Sequence, residues 1–284
     1  MSSWSKLGAP KLQPLAQGEH QYVLIDGAQV DRFSERLPGL RGVVRHESVF
    51  AGPLAPERTD ATPHLLEVLG GDAYRTLLTG DFADAVAFYG ALSWLVSPLS
   101  VGDLAARLRQ RLDAELPDHF DCVNRFFDAR IAPQLHECLT ERQRAEFFSV
   151  STQWWVVSHT HRWQSLACSF SSPDPFTAPL MLDEAQQAFM IDACYPYSVI
   201  DHFRQTDEEL LDQVPASEQY GLFRQALKVA ASYGIDGGAT AILFCTLVLT
   251  RGPAFYMQPQ WQAALERVKR REITLQQAVK AQHD

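Results

Sequence analysis

Residues 121–131 read Asp-Cys-Val-Asn-Arg-Phe-Phe-Asp-Ala-Arg-Ile, and no single surface accounts for them. Cys122, Asn124 and Phe126 alternate with Val123, Arg125 and Phe127, so an extended segment here would carry two faces. Arg125, Asp128 and Arg130 crowd its carboxyl end with charge. Pro133 follows, a residue suited to the first turn of a helix, where its missing N–H does no harm. The stretch is therefore expected to form a strand-to-helix corner in a mixed α/β domain. An arginine–carboxylate pair at such a corner ordinarily fixes the turn through charge-assisted hydrogen bonds; a binding or catalytic role is the competing reading.

Toward the amino terminus, Tyr22-Val23-Leu24-Ile25 followed by Asp26-Gly27 is a continuous apolar run closed by a turn signal, the pattern of a buried strand. Asp26 sits at its carboxyl edge, as a turn residue or, alternatively, an acid. Residues 45–52 and 64–69 suggest two more short strands or strand-to-helix joints, with Gly52-Pro53-Leu54-Ala55-Pro56 between them and Gly70-Gly71-Asp72 closing the second. Residues 86–95 alternate as a half-buried strand, and Gly90 within them marks a bulge or close packing. Ser100 to Asp103 have capping-box spacing, and Leu104, Leu108 and Leu112 follow beneath Arg107, Arg109 and Arg111. That is an amphipathic helix whose arginines read as a solvated face, with a basic patch as the alternative.

Beyond the corner, residues 133–139 form a short helix and Thr140 caps another that ends in Phe147-Phe148. Residues 154–163 are expected as one long strand, with Trp155, Val157, His159, His161 and Trp163 on one face. The aperiodic, proline- and serine-rich residues 169–179 are placed as a linker. Past them, caps at 183–186, 206–209 and 274–277 mark helices, with Gly234 and Gly252-Pro253 as stops. The expected organisation is a flexible leader over 1–20, an α/β lobe (mixed sheet with flanking helices) over 21–168, a linker over 169–179, and an all-α lobe over 180–284.

The 284 residues are 46% apolar and 21% charged, the composition of a soluble globular protein with a sizeable core. A net charge of −9 argues against nucleic acid as a partner. The apolar run over 239–249 is about half the length a spanning helix needs, so no membrane insertion is expected. Five scattered cysteines form no Cys-x-x-Cys pair, and the first twenty residues hold no signal-peptide core; a reducing cytoplasm is the simplest home.

The sequence lacks the G-x-S-x-G, Walker, G-x-G-x-x-G, H-E-x-x-H and EF-hand patterns. Gly234 to Gly238 precede a helix and read as a helix-to-helix turn in preference to an anion site. His159 and His161, two apart on a strand, are the one pair with the spacing of metal ligands, and Asp26, Asp128 or His136 would have to complete the set. The alternative is an aromatic, partly buried surface with Trp155 and Trp163. No catalytic residue, cofactor or metal is assigned. Six tryptophans and sixteen phenylalanines supply rigid anchors for core and interface.

Tyr22-Val23-Leu24-Ile25-Asp26-Gly27-Ala28, then Thr62-Pro63-His64-Leu65-Leu66, Leu104 to Arg109, Arg125-Phe126-Phe127-Asp128-Ala129-Arg130-Ile131, Phe147-Phe148 and Trp154-Trp155, taken in order, resemble the effector adaptor/chaperone domain of bacterial type VI secretion systems, long catalogued as domain of unknown function 4123. The resemblance covers roughly residues 20–165. The Arg-Phe-aromatic-Asp-x-Arg stretch is its most specific part, although Ala129 stands where the family usually has proline and Phe127 where it has tyrosine or tryptophan. The resemblance implies a non-enzymatic task. Such a domain binds a toxic effector in the cytoplasm through the effector's amino-terminal region, keeps it from aggregating and helps mount it on the secretion spike protein. Arg125, Phe127, Asp128 and Arg130 are the expected corner, and Trp155, His159, His161 and Trp163 an expected contact surface. Two other functions remain open at this point: a metal-assisted hydrolase using His159 and His161, and a toxin-neutralising immunity protein.

Overall fold

The computed structural model describes residues 10–40, 42–50, 62–69, 77 and 90–282. The chain divides into two compact units, Met1–Ile191 and Asp192–Asp284. The first contains the strands β1 (His20–Asp26), β2 (Val43–Ser48), β3 (Pro63–Val68), β4 (Leu92–Ser97), β5 (Asp113–Leu116), β6 (Phe120–Val123), β7 (Gln153–Val157), β8 (Trp163–Leu166) and β9 (Leu180–Met181). Six of them form an antiparallel sheet in the order β2-β3-β1-β4-β7-β8, and the other three a small sheet, β6-β5-β9, whose β5–β9 pair is parallel. Sheet and helices in the first half, then mostly helices, is the mixed-sheet lobe followed by a helical lobe that the sequence pattern implies.

The run at β1 is apolar without alternation because both faces of the sheet are covered. Tyr22 and Leu24 enter a core with Leu65, Leu95, Trp154 and the helices α2 (Val101–Gln110), α3 (Ala132–Cys138) and α4 (Glu141–Phe147). Val23 and Ile25 enter a second core with Leu66, Trp94 and Phe33 of the short helix α1 (Phe33–Arg36). The first core is tied by aromatic edges: Phe126 lies 5.5 Å from Phe147 and 6.2 Å from Trp154, ring centre to ring centre. Contacts of this kind add about 0.5–1.5 kcal/mol each beyond their buried area.

Several local expectations are met. Ser100 caps α2, Thr140 and Gln143 form a full capping box on α4, and Pro133 lies in the first turn of α3. Others are corrected. The strand of 86–95 begins only at Leu92; residues 86–89 lie outside the described residues, as do 1–9, 51–61 and the turn at 70–72. The strand in 121–131 ends at Val123, and a turn buries Phe126 and Phe127 together. Residues 154–163 are two strands joined by a turn, with Val157 opposite Trp163. His161 takes a left-handed conformation in this turn, φ 57°, which histidine tolerates better than most residues.

Arg111 is fully buried, contrary to the solvated face expected for the α2 arginines. It lies one residue past the helix, where the chain turns inward, and its donors are all engaged. They reach the carbonyls of Phe147, Glu146 and Arg107, the Ser149 hydroxyl, and both oxygens of Asp174 at 2.8 and 2.9 Å. The Phe176 ring packs 4.6 Å from the guanidinium carbon. Residues 169–179, expected as a linker, are thus held against the first unit through Asp174 and Phe176. Residues 10–19, expected as leader, are tied as well: Gln13 donates its N–H to the Gln153 side chain at 2.8 Å.

The second unit is helical, with α5 (Glu184–Thr206) entering it, then α6 (Glu208–Leu211), α7 (Ala216–Ser232), α8 (Gly238–Arg251), α9 (Pro259–Lys269) and α10 (Leu275–Lys280). Its core gathers Phe203, Phe223, Phe244, Phe255 and Trp261. Gly234, at φ 74°, ends α7 in a turn where Ile235 donates to the Ala230 carbonyl at 3.0 Å. Asp207, not Thr206, caps α6, since α5 continues through Thr206. Among the described residues no helix is long and apolar enough to cross a membrane.

Burial alone would raise the Asp174 carboxyl, but the hydrogen bonds and charge of Arg111 hold it below its ordinary value. A carboxyl lowered in the folded state adds stability above its unfolded value, lost as pH falls through the folded one. Resistance to urea is therefore expected to fall as the pH drops below about 5, and Asp174→Asn to flatten that part of the profile while lowering stability at pH 7. Arg111→Met removes both hydrogen bonds from the guanidinium to Asp174 and leaves Arg107, 3.8 Å away, as the cation beside the carboxylate; it is expected to cost about 3 kcal/mol in the same measurement.

Candidate functional site

The main chain of β1 emerges at Asp26, which is almost wholly buried. Its Oδ1 accepts from the Ala28 N–H at 3.2 Å, and its Oδ2 from Gln29 Nε2 at 2.8 Å and from Arg125 at 3.0 Å. Asp128, equally buried, accepts from the Arg130 side chain at 2.8 and 3.1 Å and from its backbone N–H at 2.9 Å. Arg125 lies 4.0 Å from Asp128 and packs its guanidinium 5.6 Å from the centre of the Phe127 ring. The corner thus joins two carboxylates and two guanidiniums into one neutral group, and both acids are enclosed by donors. Charge-assisted bonds of this kind are short and strong and fix geometry.

Backbone shape makes the corner possible. Asp128 offers its carbonyl to the N–H groups of Ile131 and Ala132, which starts α3. Ala129 donates to the Gly90 carbonyl at 2.8 Å. Gly90 has φ 63°, and a Cβ there would come within 2.7 Å of Arg130 Cγ. The glycine, read from the sequence as a bulge or close-packing position, is the place where the segment before β4 passes over the corner.

The second set of expected residues meets the first through the sheet. β1 ends, β4 begins, β7 ends and β8 begins at the same end, so the turn at 158–162 and the charged corner share one rim of the sheet. With three strand steps between β1 and β8, they stand about 14 Å apart. Trp155 and Trp163 are half-buried on the same face of the sheet, against the Val23 and Ile25 core. His159 is exposed and His161 half-exposed in the turn, so the two do not project from a strand as a ligand pair would. Among the described residues no three histidine, cysteine or acidic groups gather as metal ligands would. His136, the other possible ligand, packs against Phe148 and bonds the Ala167 carbonyl; burial lowers its pKa.

Two features escaped the sequence reading. One is the role of Asp26 as the partner of Arg125, signalled by an acid at the end of a strand too apolar to be exposed. The other is a groove of about 450 Å³ beside β2, walled by Leu37, Pro38, Leu40, Val43, Val44 and His64. Its apolar residues come from two short segments with no shared period, so no pattern reveals it.

Residues 21–146 match the model of a family described as a domain of unknown function (DUF4123). The match takes in Asp26, the groove residues and the whole 125–130 corner. No curated protein and no solved structure matches the chain.

Arg130→Ala removes the side-chain hydrogen bonds to buried Asp128, leaving Arg125, 4.0 Å away, as the cation beside it, and is expected to cost about 3 kcal/mol, whereas Arg125→Ala removes a half-exposed partner and should cost about 1 kcal/mol. Gly90→Ala should cost about 2 kcal/mol or more, from backbone strain and displacement of Arg130. Urea unfolding of the three variants measures the order, and an Arg125→Ala cost equal to that of Arg130→Ala would refute this division of labour.

Proposed function

We propose that this chain is a non-enzymatic adaptor that binds a type VI secretion effector in the cytoplasm, stabilises it and helps load it onto the spike protein. The observation that carries the reading is the match of residues 21–146 to the DUF4123 family model, a span that includes the Tyr22–Ala28, Thr62–Leu66, Leu104–Arg109 and Arg125–Ile131 stretches of the resemblance to effector adaptors and stops short of Phe147-Phe148 and Trp154-Trp155. The geometry of those residues supports it. The stretch that most specifically resembles the adaptors is folded into a closed ionic corner, which holds a surface in shape and keeps both of its acids away from solvent. A preformed scaffold lowers the ordering cost of binding another polypeptide.

The apolar groove beside β2 and the aromatic rim at Trp155 and Trp163 are the kinds of surface that receive apolar side chains of a client. The client segment in this reading is the amino-terminal region of the effector.

The test is made in the native host with the full chain. Deleting its gene is expected to lower the abundance of the effector encoded nearby several-fold, and a tagged copy is expected to restore it and to retain that effector and the spike protein on purification. Unchanged effector abundance, with neither protein retained, would overturn the proposal.

A further inference from the structure

The small sheet β6-β5-β9 leaves one edge open. Asn124 donates its N–H to the Leu112 carbonyl at 2.7 Å, and the register runs Ala114 opposite Cys122 and Leu116 opposite Phe120. Those are the pairs that exchange backbone bonds, so Asp121 and Val123 turn their N–H and C=O groups away from β5. Among the described residues nothing meets them. The side chains around this edge are exposed and apolar, Phe120 at 64% and Val123 at 49%, with Met181 of β9 at 51% on the outer face. Asp113, Glu115 and Asp121 share the outer face with Val123 and Met181, while Phe120 lies on the other face, as the register requires.

An open strand edge with exposed apolar side chains is a template for another strand. Its charge selects the occupant. A second copy of β6 laid antiparallel would bring Asp121 and its acidic neighbours against themselves, and like charges across a strand pair repel. A strand with basic side chains on the outer face would meet Asp121 directly, with Asp113 and Glu115 one strand behind it on β5 and Glu115 bonded to His119, and its intervening apolar side chains would pack on Phe120. We propose that the β6 edge binds an extended segment of a partner polypeptide in which basic and apolar residues alternate. The inference rests on the adaptor reading for the identity of the partner, and it places a strand-pairing contact on the chain.

The test uses the purified full chain and a fluorescent octapeptide alternating lysine and valine, with a glutamate–valine octapeptide and a lysine–valine octapeptide carrying a central proline as controls. The lysine–valine peptide is expected to bind at least ten-fold more tightly than either control, more weakly at high salt, and to slow amide exchange at Asp121 and Val123. Asp121→Lys, an exposed substitution, should lose ten-fold or more for this peptide and gain affinity for the glutamate–valine one. Val123→Pro, which removes an outward N–H, should abolish binding; where that variant fails to fold, Asp121→Lys decides.

Equal binding of both charged peptides, no binding, no effect of Asp121→Lys, or a dimer that Asp121→Lys releases would each overturn the inference. Effector retention in the host separates the two readings. Retention by both wild type and Asp121→Lys, with no peptide bound, sinks the β6 site and leaves the adaptor role standing. Peptide bound at β6 without effector retention sinks the adaptor role alone.

Discussion

The ion pair between Asp26, at the end of a strand covered on both faces, and Arg125, in the turn after β6, ties the sheet of the first unit to its charged corner. Asp26 ends β1 with only the Ala28 and Gln29 donors close by in sequence. Its cation comes from Arg125, ninety-nine residues on. Bringing Arg125 there sets where the chain turns after β6, which places Asp128 against Arg130, and the Asp128 carbonyl in turn starts α3. Phe126, in the middle of the turn, plugs the core beneath it. Glycine at position 90 leaves the room that Arg130 needs beside this turn.

Much of this was legible from the amino-acid order. An apolar run without alternation at Tyr22 to Ile25 means two covered faces, and β1 has them. Caps and stops are local chemistry, so Ser100, Thr140, Thr274 and Gly234 were readable one turn at a time. What failed was whatever depends on distant partners. Arg111 looks like its solvated neighbours on α2 until Asp174 arrives from sixty-three residues away. Trp155 and Trp163 do share a face, but through a hairpin, and alternation cannot distinguish a long strand from two strands whose turn has an odd number of residues between them. The ionic corner was recognised as a cluster of charges, while the acid that completes it was read as a simple turn residue.

The described surfaces divide by function in a way that follows from the packing. The corner and Arg111 use their charges internally, on fixed neighbours, and so contribute rigidity. The groove beside β2 and the edge of β6 leave apolar side chains and backbone groups turned outward. The proposed adaptor role would draw on both kinds: an interior that does not yield, and margins where hydrogen bonds and apolar area are still on offer.

The two cores of the first unit lie on opposite sides of the same strands, with Tyr22 and Leu24 in one and Val23 and Ile25 in the other. Neither layer can melt while its companion survives, because freeing either face of β1 also breaks the ladder that orders its opposite face. The sheet therefore behaves as one cooperative block, in which local fraying stops at the outer strands and opening of β1 requires loss of the whole layer. Were the chain to hold another polypeptide as proposed, a pull on the rim would meet the stability of the entire block and not of one strand.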